Sequence, residues 1–457
     1  MTNISGFDFF SLTFDENGKL TSNADLDDLK KRAASASDVI FLAHGFRNDV
    51  NDATTLYTNF LTTFRSQFIR PECQALGGCN FAVAGVYWPS KTLPESFPAL
   101  EGATESVDED APLLAALTKK LNDLKDLAPD AKAQIDEAIQ LLPQVKDDGN
   151  AQNRFTDLVL TAAKDPVPDP TEGLDALRNQ DGTTILAKLS APVILPTAAA
   201  DDGQDSGGAM SLDDSDAGSV QSIDSRLDSV LGGVDRFINL TTWWIMKNRC
   251  GVVGATGVAQ AVRDLAASKP SLKSHLVGHS LGGRLMAACA KSLAQDPIYQ
   301  PASVTLLEAA FSHFGFSADN GQKIPGFFRD VIAKKVVKGP LVATFSAQDS
   351  VVGTTYALAS RVAGDNSKAI GDANDPFGGI GRNGAIKTTE SSSNKLQKAG
   401  APDGPYKFDL GIVNCLDGSG GLIKDHGDVT NADVTYAFAC VVVATQAGAA
   451  ATGGAGP

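Results

Sequence analysis

The residue best suited to nucleophilic chemistry in this 457-residue chain is Ser280, at the centre of Gly278-His279-Ser280-Leu281-Gly282. The pentapeptide follows an apolar run ending at Leu276 and Val277 and opens a small-residue stretch of helical character. A strand running straight into a helix forces a sharp turn in which the central residue takes strained dihedrals. Flanking glycines remove the side chains that would clash there. The spacing therefore predicts a nucleophile elbow with Ser280 at its tip.

A serine hydroxyl is a poor nucleophile at neutral pH, so it requires a base and a third group to orient that base. Five histidines are available. His44 is part of the early His-Gly loop and His279 part of the elbow itself, His275 lies in the strand leading to the elbow, and His313 follows the next strand. His426, in Lys424-Asp425-His426-Gly427-Asp428-Val429, sits in a polar loop after the last apolar run, where a base arriving from the far end of a sheet belongs. The acid is expected in a loop after a strand between nucleophile and base. Asp349, just behind Phe345, is preferred there to Glu308, which has apolar neighbours, and to Asp425, which is adjacent to His426 and poorly placed to reach its ring. Charge developing on a substrate carbonyl needs preorganised donors. The Leu281 amide supplies one, and the Phe46 amide, in Ala43-His44-Gly45-Phe46, is expected to supply the other.

These groups need a sheet to hold them. Asp38–Ala43 and Phe81–Tyr87 are short, mostly apolar runs bounded by loop residues, as buried strands are. Between them, Asp52 to Phe68 carries Leu56, Phe60, Leu61 and Phe64 at helical spacing. Ser303–Leu307, Pro340–Phe345 and Phe408–Val413 read as further strands. Strands alternating with helical segments imply an α/β fold with a mainly parallel sheet covered on both faces.

The stretch from Trp88 to His275 far exceeds one crossover and reads as an insertion. Its first part places leucines at helical spacing between Ala111 and Leu142, with Pro129 as a break, which predicts two helices joined by a turn. The expected organisation is a discontinuous core of residues 1–90 and 237–446, a helical insertion or cap at 91–197, an acidic flexible linker at 198–236 and a disordered tail at 447–457. Asp201, Asp202, Asp205, Asp213, Asp214 and Asp216 crowd the linker, but their spacing departs from a calcium loop. Trp243, Trp244, Ile245 and Met246 read chiefly as core aromatics where the insertion rejoins the main fold, and otherwise as a wall of a substrate pocket.

The order of these elements resembles the α/β-hydrolase superfamily: an early His-Gly loop, Gly-x-Ser-x-Gly, an Asp after a strand, then a late His. The resemblance spans about Asp38 to Ser90 and Phe237 to Ala444. Gly278 to Gly283 looks like the elbow of lipases and esterases, and Trp243–Gly251 and Leu306–His313 are similar to strings in uncharacterised bacterial members. The resemblance implies an α/β-hydrolase fold and a serine hydrolase that cleaves carboxylic esters. The triad would be Ser280, His426 and Asp349, with an oxyanion hole of the Phe46 and Leu281 amides. Acyl transfer, amide or peptide cleavage, and a non-catalytic binding protein on the same fold stay open alternatives.

Composition bounds the partners. The chain is 43% hydrophobic and 20% charged, and 39 basic against 54 acidic residues leave a formal charge of −15. That charge repels phosphate backbones and offers no counterion release, which argues against nucleic acid. The expected partner is a small-molecule or lipid ester, with no cofactor and no metal. Neither a basic n-region with an apolar core at the start nor a membrane-spanning run is visible, so the expected compartment is the cytoplasm. The six cysteines lack paired zinc spacing. Cys73 and Cys79 are close enough in sequence to pair in an exported protein.

Overall fold

The structure is a computed structural model that describes residues 2–90, 110–164, 168–190, 229–296, 298–362, 373–401 and 405–451. Among them are nine strands: β1 (Thr2–Ile4), β2 (Phe7–Thr13), β3 (Asp38–Ala43), β4 (Phe81–Tyr87), β5 (Lys273–His279), β6 (Ser303–Leu307), β7 (Leu341–Phe345), β8 (Ser391–Lys395) and β9 (Val413–Asp417). They form one sheet in the order β1-β2-β4-β3-β5-β6-β7-β9-β8. Only β1 runs antiparallel to its neighbour, and all other adjacent pairs are parallel. The chain is thus an α/β protein with a mostly parallel sheet. Every residue of β3 and β4 is buried, which is why these strands read as continuous apolar runs rather than alternating ones.

The chain divides into two compact units. The first comprises residues 1–90, 249–352 and 378–457 and contains the whole sheet. Helix Val50–Ser66 starts at a capping box, in which Asp49 accepts from the Asn51 and Asp52 amides and Asp52 accepts in return from the Asp49 amide. Its Phe64 packs on Phe7 of β2, with ring centroids 5.8 Å apart, and on Phe438 of the last helix, Ala432–Ala451, at 4.9 Å. The two ends of the chain thereby share one aromatic core.

The second unit comprises residues 91–248 and 353–377. Helices Ala111–Leu127 and Lys132–Leu141 flank Pro129, because the residue before a proline is driven out of helical geometry. Buried Lys247 pairs with buried Glu172, which also accepts from the Tyr356 hydroxyl at 2.8 Å. Trp243 and Trp244 are buried, and Trp243 packs edge-on against Tyr356. These aromatics belong to the core of this unit. The division differs from the sequence reading in placing 237–248 and 353–377 with the insertion. Of the acidic stretch 198–236, residues up to 228, including the six aspartates, lie outside the described residues, whereas Val230 begins a helix. Of 447–457, the last helix continues to Ala451 and the rest lies outside.

One strand expectation needs correcting. The strand anticipated at Phe408–Val413 is β9, Val413–Asp417. Gly411 has a φ of +76° and breaks the extended path. Asn414 closes the turn, accepting from the Asp409 amide and donating to the Asp409 carbonyl, each at 2.9 Å. Strands β1, β2 and β8 were not among those expected, although β2 carries buried Phe7, Phe9, Phe10 and Leu12; β8, Ser-Ser-Ser-Asn-Lys, has no apolar residue because it is an edge strand left partly in solvent. All six cysteines are free thiols. Interaction with the Cys440 thiol, together with burial, raises the pKa of the Cys73 thiol.

Candidate active site

In the sheet, β3 is followed by β4 on one side, whereas β5 is followed by β6 on the other. The crevice outside the carboxyl ends of β3 and β5 is therefore a topological switch point, the place where open α/β sheets bind ligands. Pairing of Ala43 with Gly278 sets the His44-Gly45-Phe46 loop beside the turn that carries Ser280.

Ser280 joins β5 to helix Leu281–Leu293 with φ +57° and ψ −125°. For a residue with a side chain this conformation costs about 1–3 kcal/mol. The surroundings hold it there: the Ser280 amide donates to the Leu307 carbonyl at 3.0 Å, and the Ser280 carbonyl accepts from the Gly283 and Ala310 amides at 2.9 and 3.0 Å. The glycines are required by close approach, since a Cβ on Gly278 would lie 2.1 Å from the Gly282 carbonyl oxygen. The Ser280 side chain makes no hydrogen bond among the described residues. The same holds for the amides of Phe46 and Leu281, so both remain open to an acceptor. Leu281 also stands at the helix start, where the first amides lack intrahelical partners and the dipole favours negative charge.

Gly45 abuts the nucleophile. A Cβ there would come within 2.7 Å of Ser280 Cβ. His44 holds this loop: its Nδ1–H donates to the Gly45 carbonyl at 3.0 Å, and its amide donates to the Tyr57 hydroxyl at 3.0 Å. Its ring stacks on Trp88 with centroids 5.6 Å apart, and Trp88 Nε1–H donates to the His44 carbonyl at 3.0 Å. Burial lowers the His44 pKa to about 4, so the ring is a neutral structural element rather than a base.

No family model, curated protein or solved structure matches this chain. The site therefore rests on its own geometry. His426 Nδ1 lies 2.8 Å from Asp349 Oδ2, and because a carboxylate can only accept, Nδ1 carries the proton of this bond, which in the neutral ring leaves the lone pair on Nε2. Asp349 is fully buried at the end of β7, its other oxygen accepts from the Val352 amide at 2.9 Å, and its carbonyl accepts from Arg382 Nη1 at 3.0 Å. The loop bearing His426 is tied to the strand ends by Gly418 donating to Phe345 and by the Ser346 hydroxyl donating to Ile423. The His426 carbonyl accepts from His279 Nε2 at 2.7 Å. Between Ser280 and His426 no hydrogen bond is present.

The two rival acids sit otherwise. Asp425 accepts from the Gly427 amide at 2.8 Å. Glu308, just after β6 with φ +39°, is fully buried, and neither carboxyl oxygen has a hydrogen-bond partner. Burial first, then the nearby charge of Asp349, drive its pKa well above the ordinary carboxylate range. His275 pairs with Asp38 and Ser303 toward the opposite end of the strands, and His313 Nδ1 accepts from the Asn383 amide at 3.1 Å. Sequence reasoning overlooked Arg382 and the contact from His279 to His426. Arg382 had no local signal at all, whereas His279 was visible inside the elbow motif.

Among the described residues no helix is long and apolar enough to cross a membrane, and no group of three or more His, Cys, Asp or Glu is arranged to hold a metal ion.

Proposed function

We propose that this protein is a serine hydrolase of α/β-hydrolase architecture that cleaves carboxylic esters through an acyl-enzyme. The observation that carries this reading is the strained Ser280 turn at the switch point of the sheet, with the hydrogen-bonded Asp349–His426 pair held at the ends of strands on the same side. The tautomer that Asp349 imposes leaves His426 Nε2 able to accept a proton. On substrate binding Nε2 takes the Ser280 hydroxyl proton as Oγ bonds to the ester carbonyl carbon. The Phe46 and Leu281 amides receive the oxyanion. Collapse breaks the bond to the alcohol, which leaves with the proton from His426. Water then attacks the acyl-enzyme, His426 takes its proton, and the acid departs as that proton returns to Ser280. Catalytic hydrogen bonds commonly tighten only with substrate in place, so the open gap between Ser280 and His426 in the free protein is compatible with this sequence.

The test is labelling by a fluorophosphonate followed by turnover of an ester panel of increasing acyl length. Labelling at Ser280 that disappears in Ser280→Ala, with loss of ester turnover by about 10⁴- to 10⁶-fold, is the expected result. An unlabelled wild-type protein, or a Ser280→Ala variant that still hydrolyses esters, defeats the proposal.

A further inference from the structure

His279 precedes the nucleophile in the chain, yet its side chain engages the base. Its Nε2–H donates to the His426 carbonyl oxygen at 2.7 Å, and the two rings lie 4.7 Å apart. Its Nδ1 is buried without a hydrogen-bond partner, close to Gly45. Behind the ring a cavity of about 20 Å³ is lined by Leu42, Tyr57, Val277, Leu307 and Val429.

His426 is consequently held at two points by groups from two strand ends. Asp349, after β7, holds Nδ1 and sets the ring's orientation and tautomer. His279, the last residue of β5, holds the backbone and is covalently joined to Ser280. The second tether ties the base to the residue next to its own nucleophile. We infer that His279 is a positioning residue that fixes the distance between His426 and Ser280, a role that deepens and rests on the triad reading above.

The state of the ring suits this role. Burial, then the neighbouring His426, lower its pKa to about 3, and the titratable groups nearest it are His426, His44 and Tyr57. A neutral ring donates from Nε2 without placing a positive charge against the imidazolium that forms on His426 during acylation.

Three variants test the inference. In His279→Gln an amide N–H can stand near the place of Nε2, in His279→Asn it stands near Nδ1 and falls short of the carbonyl, and in His279→Leu no donor remains. The expected outcome is that Asn and Leu slow fluorophosphonate labelling and lower kcat about 10- to 100-fold with KM unchanged, while Gln stays within about threefold of wild type. Equal impairment of Gln and Asn, or labelling at the wild-type rate in a folded Asn or Leu variant, overturns it. Should Leu fail to fold, the Gln-to-Asn comparison still decides. Failure of the triad reading gives a different result, since wild-type protein then takes no label at Ser280.

Discussion

The same sheet carries two serine, histidine and aspartate groups, near opposite ends of its strands. Near the amino ends, Ser303 Oγ lies 2.8 Å from His275 Nδ1, and Asp38 Oδ1 lies 3.0 Å from His275 Nε2. All three side chains are fully buried. Burial opposes the charge on Asp38, but hydrogen bonds from His275, Ser37 and Gln446 outweigh it and hold the carboxyl below its ordinary pKa. Near the carboxyl ends, Asp349 and His426 make the same kind of bond at 2.8 Å, but Ser280 is strained, its hydroxyl is unengaged, and His426 reaches the surface. The first group has both imidazole nitrogens occupied and no helix N-terminus beside its serine. It is a closed structural knot. The second keeps a hydroxyl and two amides without hydrogen-bond partners, beside a histidine that is partly exposed. The same three residue types therefore occur once with their hydrogen-bonding capacity spent and once with part of it left open, and only the second arrangement supports the proposed chemistry.

The largest effect expected from this contrast is on turnover. Asp349→Asn should lower kcat by about 10⁴-fold by imposing the wrong tautomer on His426. Asp38→Asn should leave Ser280 labelling within about threefold. If a folded Asp38→Asn protein loses labelling, the division into knot and site is wrong.

Gly45→Ala sharpens the accessible side of the comparison. Its Cβ would crowd Ser280, and labelling should slow about 100-fold while circular dichroism stays unchanged. Wild-type labelling would mean that the loop after β3 lies too loosely to matter.

Next in size is the stability cost of opening the knot. Asp38→Asn weakens charge-assisted bonds to His275, Ser37 and Gln446 and should cost about 2–3 kcal/mol in urea unfolding. Asp349→Asn, beside a partly exposed histidine, should cost less.

Per pH unit and per group, the smallest effect is a slope in stability against pH. His44 and His279 have folded pKa values of about 4 and about 3, below the ordinary 6.5, so between pH 6.5 and 4 the unfolded chain binds more protons. Stability is therefore fully present above pH 6.5 and falls on acidification, by about 1.4 kcal/mol per pH unit for each group, levelling once the folded values are passed. Glu308 acts with the opposite sign: its raised pKa means that stability is present below about pH 4.5 and declines as pH rises. Glu308→Gln should accordingly gain on wild type in urea midpoints from pH 5 upward and match it at pH 4. A gain that does not grow with pH would show that Glu308 is ionised in the folded protein.

How much of this was legible varies with how local each signal is. The elbow could be read because strand, Gly-x-Ser-x-Gly and helix are contiguous, and each glycine answers a contact made within a few residues or with the adjacent strand. β3, β4 and β6 could be read because strands buried on both faces need uninterrupted apolar runs. β8 could not, since an edge strand of serines has no such run. The contact of Arg382 and the raised pKa of Glu308 were invisible, since one acts through a backbone carbonyl and the other depends on burial and on which charges fold around it.

By itself, then, the sequence determined an α/β chain with a mainly parallel sheet, a strained serine at a strand-to-helix turn and an interrupting helical segment, because periodicity and turn chemistry are local. The order of the chain pointed to His426 and Asp349 as partners, but only the tertiary structure decided that they bond and that His275 meets Asp38. His275 and Asp38 are 237 residues apart, and His426 and Asp349 are 77 apart. Nothing near His275 or Asp38 declares its partner, because burial, strain and spare hydrogen-bonding capacity arise only when distant parts of the chain are brought together in one sheet.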